Sequence, residues 1–136
     1  MQRTVHWLVL GMLLMVFGSV ALALRQDIPG VDEIMDITHR VKKGLKDQLE
    51  VEAKKPKPDW AKMQKDAKEF TRLISLMEKN DPPKGAKASW VKLCREYTED
   101  VAKVEEAVNK KDAKAVLAAI KALDKKCDEC HDKHRP

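Results

Sequence analysis

The stretch DAKAVLAAIKALDKKCDECH, residues 112–131, decides the fold. Its apolar side chains Val116, Leu117, Ile120 and Leu123 return every three or four residues, the period of one face of an α-helix, and Ala113 and Cys127 fall on the same stripe. Asp112 stands where a helix-capping side chain belongs. The run closes on Cys127, Cys130 and His131, spaced i, i+3 and i+4, so a helix carries all three on one side. A Cys-x-x-Cys-His run is the sequence on which haem is attached covalently. Each thiol adds across one porphyrin vinyl group, and the adjoining imidazole reaches the iron. The motif therefore lies on the face that its helix buries, and one face holds one porphyrin.

Three other chemistries use these residue types. A thioredoxin-like dithiol sits at a helix N-terminus, where the helix dipole lowers a thiol pKa; here the pair ends a helix. A zinc site would recruit Cys127, Cys130, His131 and His134, but structural zinc usually joins two separate segments, and no second Cys or His pair exists upstream. A chance match would leave a disulfide or free thiols. One covalently attached haem c is the reading that also suits the start of the chain.

That start, MQRTVH, carries one arginine and no acid, and Trp7 to Leu24 then run without a charge. This is the pattern of an export signal, and Ala21-Leu22-Ala23 offers the small-x-small site a signal peptidase needs. The expected division is a signal peptide over residues 1–23 and a single domain over 24–136. An uncleaved anchor is the rival, since the uncharged run is just long enough to cross a bilayer. No cysteine lies near the cut, so a lipid-modified N-terminus is not indicated. The expected location is the periplasm, with a membrane-anchored form facing the periplasm as the alternative; covalent haem attachment is done outside the bacterial cytoplasm, and an oxidising compartment tolerates the cysteines.

The body of the chain is densely charged, 36% Asp, Glu, Lys and Arg, with a formal net charge of +5 over all 136 residues. Basic and acidic residues alternate throughout and form no one-signed stripe, which argues against a nucleic-acid partner. Four long amphipathic runs follow. Val31, Ile34, Met35, Thr38, Val41, Lys42, Leu45 and Leu49 predict helix 1 over residues 31–53, ended by Pro56 and Pro58. Asp59 caps helix 2, whose face reads Trp60, Met63, Ala67, Phe70, Leu73, Ile74 and Met77 until Asn80-Asp81-Pro82-Pro83 stops it. Trp90, Leu93, Cys94, Tyr97, Val101, Val104 and Val108 mark helix 3, and Asn109-Lys110-Lys111 separates it from helix 4. Four such helices joined by short breaks predict an all-α fold, an antiparallel up-down-up-down four-helix bundle. In that bundle the porphyrin's space would be lined by Met35, Leu117, Ile120 and their neighbours, and Cys94 would be a small core residue.

A C-terminal CDECH on the last helix of an exported four-helix chain, with Arg135 four positions past His131, resembles the class II c-type cytochromes. That family comprises the cytochrome c′ group and its low-spin relatives. The resemblance implies thioether links from Cys127 and Cys130 and axial ligation by His131. It also places the second axial position against helix 1, where low-spin members present a methionine near the start; here that residue is Met35. His39, one turn on but rotated by about 40°, is expected at the stripe's polar margin. His134 stands where the family usually has an aromatic residue and is expected to substitute for that ring.

What the resemblance implies for function is electron transfer with transient redox partner proteins. The charge-mixed rim of Lys125, Lys126, Lys133 and Arg135 among Asp124, Asp128, Glu129 and Asp132 suits such encounters. The alternative is a five-coordinate, cytochrome c′-like protein binding NO or CO, with Val31, Ile34 and Thr38 around the open iron position. No nucleophile-and-base constellation points to an enzyme. Membrane contact is expected only through an uncleaved N-terminus, and a homodimer is left open.

Overall fold

Five α-helices and one short 3-10 turn make up residues 27–136, the part of the chain this computed structural model describes; no strand occurs among the described residues. The expected signal peptide over residues 1–23 lies outside them. The helices are α1 (Val31–His39), α2 (Leu45–Ala53), α3 (Trp60–Leu76, continued by the 3-10 turn Met77–Lys79), α4 (Lys87–Asn109) and α5 (Ala113–His134). They pack as a helical bundle: α4 lies against both α3 and α5, α2 against α3 and α5, and α1 against α2 and α3.

Two helix starts are set by local chemistry the sequence announces. The Asp59 carboxylate accepts from the Lys62 backbone N–H at 3.0 Å, and that of Asp112 from Ala115 N–H at 2.9 Å, so each satisfies a donor the first helical turn cannot. Between α4 and α5 the chain reverses through Lys111 at φ 55°, and Asp112 N–H returns to the Ala107 carbonyl at 3.1 Å.

The single helix expected over residues 31–53 is instead two. Lys42 adopts φ 63°, and Gly44 N–H closes a tight turn onto the Arg40 carbonyl at 2.6 Å. A Cβ on Gly44 would sit 2.7 Å from the backbone nitrogens of His39 and Arg40 and from the Thr38 carbonyl oxygen, so only glycine lets the chain pass there. Asp47 accepts from Lys42 N–H at 2.7 Å and holds the turn from the α2 side. Val41, expected on the buried stripe, is consequently 76% exposed, whereas Leu49 re-enters the core at 1%.

The core runs from Ile34 and Leu49 through Met63, Phe70 and Ile74 to Trp90, Val104, Val116, Ile120 and Leu123, all buried. Each large side chain there is worth about 1.5–3 kcal/mol of burial. Trp90 also ties the start of α4 to the end of α3, its indole N–H lying 3.1 Å from the Met77 carbonyl and 3.0 Å from that of Asn80. Cys94 is buried in the same cluster, the small core residue its place in the sequence suggests. Among the described residues, no helix is long and apolar enough to cross a membrane.

Candidate functional site

The last turns of α5 carry Cys127, Cys130 and His131 into one cleft of about 470 Å³. Met35 and His39 of α1 and Trp90, Cys94 and Tyr97 of α4 line the same space. Its volume falls within the roughly 300–1,000 Å³ of small-molecule and cofactor sites. All four residues singled out by sequence, Met35, Cys127, Cys130 and His131, are half-buried on its walls.

Cys127 and Cys130 are free thiols. Burial pushes both above the ordinary thiol value; at Cys127 the Lys46 ammonium partly offsets it, and at Cys130 the neighbouring Cys127 adds to it. Both therefore keep their S–H hydrogens at neutral pH. The Cys127 thiol rests 3.6 Å from the Leu123 carbonyl of its own helix. Two protonated thiols and an imidazole in one largely apolar cleft form a donor set that fits haem c.

One turn before Cys127, Asp124 meets Lys46 of α2 at 2.5 Å. Burial alone would lower the Lys46 ammonium, but its hydrogen bond to Asp124 and that carboxylate's charge outweigh it and hold the group above its ordinary value. A charged pair thus joins α2 to the motif helix.

The lining differs from expectation in one respect. Leu117 and Ile120 do not face the cleft, and Ile120 is only 2% exposed in the core. Seven residues at about 1.5 Å each separate Ile120 from Cys127, so the open space lies at the end of the bundle and not through its middle. Ile34 and Thr38 are likewise buried behind the cleft wall, and of the apolar trio expected around an open iron position only Val31 reaches it.

His39, expected at a polar margin, is turned into the cleft instead. Its Nε2 lies 2.7 Å from the Tyr97 hydroxyl and its Nδ1 2.6 Å from Thr38 Oγ1. The Phe70 ring meets it edge-on at 5.5 Å. Burial, then the charges of Lys46 and His131, lower its pKa from 6.5 to about 4, so the imidazole is neutral at pH 7. Burial also raises the Tyr97 phenol well above its ordinary value, which keeps it a hydrogen-bond donor.

No protein-family model, curated protein or solved structure matches this chain. His134 is 3% exposed and packs edge-on against Trp90 with ring centroids 5.4 Å apart. Its Nδ1–H donates to the Lys84 carbonyl at 2.7 Å, and Nε2 is hydrogen-bonded to the Ser89 hydroxyl at 3.1 Å. Both ring nitrogens are thus hydrogen-bonded within the protein. Sequence reasoning missed the Tyr97–His39–Thr38 chain, because its decisive member stands 58 residues from His39.

Proposed function

We propose that this chain is an exported monohaem electron carrier of the class II c-type cytochrome kind. In this reading α1 and α2 together form the first limb of an up-down-up-down bundle, and one haem c is thioether-linked to Cys127 and Cys130. His131 supplies one axial ligand and Met35 the other. The observation that carries the reading is that two free thiols, the adjoining imidazole and the Met35 side chain all line one cleft.

Haem would supply a one-electron change at iron. The chain's part is to anchor it by two thiols, to keep water from much of it with Trp90, Met77 and Val31, and to offer two axial donors. Methionine's soft sulfur would raise the potential relative to two histidines. Arg135 and Pro136 are exposed residues of the cleft's lining, and electrons would leave there toward a periplasmic partner. Lys133 and Glu129 pair at 3.1 Å on this rim, and such mixed charge suits short encounters.

The test is expression in a bacterium equipped for covalent haem attachment. The mature chain should gain the mass of one haem and lose residues 1–23. The ferrous protein should show sharp low-spin bands, and the ferric one a weak methionine-to-iron charge-transfer band that Met35→Ala abolishes. Rapid, tight carbon monoxide binding by the reduced protein would overturn the carrier reading in favour of gas binding.

A further inference from the structure

We propose that His39 is a second ligand for the same iron, able to exchange with Met35 one helical turn away; this rests on the haem reading above. Met35 and His39 stand at i and i+4 on α1, and both line the cleft that holds His131.

The hydrogen bonds around His39 fix its tautomer. The Thr38 hydroxyl has one hydrogen, and at 2.6 Å it goes to the Ile34 carbonyl, which can only accept. Thr38 Oγ1, fully buried, must therefore accept from His39, whose Nδ1 lies 2.6 Å away. The ring hydrogen sits on Nδ1, the lone pair sits on Nε2, and the Tyr97 hydroxyl donates to that lone pair at 2.7 Å.

An imidazole with Nδ1–H anchored to an acceptor and its Nε2 lone pair outward is oriented as metal-ligating histidines are. Among the described residues the lone pair's hydrogen-bond partner is one hydroxyl, which turns about a single bond and can donate to water in the cleft. Exchange between Met35 and His39 would then move no proton, because Tyr97 would keep its hydrogen and His39 would keep Nδ1–H on Thr38. With histidine bound, the reduced state loses the preference that a thioether gives it, so the exchange would set two potentials in one protein.

Optical and electron paramagnetic resonance spectra of the haem-loaded ferric protein test this. Met35→Ala should lose the methionine band yet stay six-coordinate and low-spin, and Met35→Ala with His39→Ala should become high-spin. Met35→Ala with His39→Gln, which leaves polar partners for Tyr97 and Thr38, should do the same while its helical circular dichroism is retained. Tyr97→Phe alone should raise the histidine-bound to methionine-bound ratio about five-fold, the worth of one net hydrogen bond. A high-spin Met35→Ala protein, or a low-spin double variant, overturns the exchange while leaving haem attachment intact. A wild-type protein already bound through His39 upholds this site and overturns the Met35 assignment instead. A chain that gains no haem mass overturns the parent reading, and this inference with it.

Discussion

Nδ1 of His134 lies 2.7 Å from the carbonyl oxygen of Lys84. That bond clamps the loop before α4 onto the last turn of α5, just past the cysteine motif. The clamp is tight: Gly85 follows at φ 83°, and a Cβ there would sit 2.8 Å from the Lys133 carbonyl oxygen and 3.1 Å from His134 Nδ1. Gly85→Ala should therefore cost about 1–3 kcal/mol in urea unfolding, from overpacking and a disfavoured φ. His134→Phe keeps a ring against Trp90 and forfeits only hydrogen bonds, so it should cost less, about 1 kcal/mol. If the two variants ranked the other way, the hydrogen bonds would outweigh the close backbone approach.

The buried imidazole of His39 makes stability depend on pH in one direction. Its pKa falls from 6.5 to about 4 on folding, so between these values the unfolded chain binds a proton that the folded chain refuses. The contribution is complete above about pH 6.5 and is lost as pH falls toward 4, by at most about 3 kcal/mol. Urea unfolding of the chain prepared without cofactor should show this loss, and His39→Gln should flatten it. Lys46→Met should narrow the window by removing the largest charge that lowers the group. Parallel pH profiles for wild type and His39→Gln would mean that the ring charges freely in the folded chain.

What was legible in the sequence was local. The apolar periods of α3, α4 and α5 and the caps at Asp59 and Asp112 depend on residues within a turn or two of one another, and the structure has them where the pattern puts them. The break inside residues 31–53 was not read, because Val41, Leu45 and Leu49 keep a helical period across it. Gly44 was the signal, since a glycine inside a helical pattern marks a weak point. Its effect comes from backbone approaching at 2.7 Å, which no period reports. The motif end of the site was legible for the same local reason. His39 could have been flagged by its i+4 relation to Met35, but its inward turn is decided by Tyr97 on another helix.

On the haem reading, the position of the cleft predicts what should happen when covalent attachment is prevented. If the open space ran through the middle of the bundle, losing the cofactor would leave a large void among Leu117, Ile120 and their neighbours. Ile120, Val116, Val104 and Phe70 are instead packed in one core cluster and at most 2% exposed, and the cleft lies at the end of the bundle. Cavity costs, about 24 cal/mol per Å³ in one lysozyme series, would thus fall on α1, the first half of α4 around Trp90, Cys94 and Tyr97, and the last turns of α5, and spare α3 and the rest of α4. Cys127→Ala with Cys130→Ala should give a helical chain that still unfolds cooperatively. Amide hydrogens of residues 60–76 and 98–108 should stay protected from exchange, while those of 31–39 and 127–134 exchange by local opening. Uniform loss of protection along the chain would show that the cofactor supports the whole core; uniform protection would show that α1 and α5 close on each other without it.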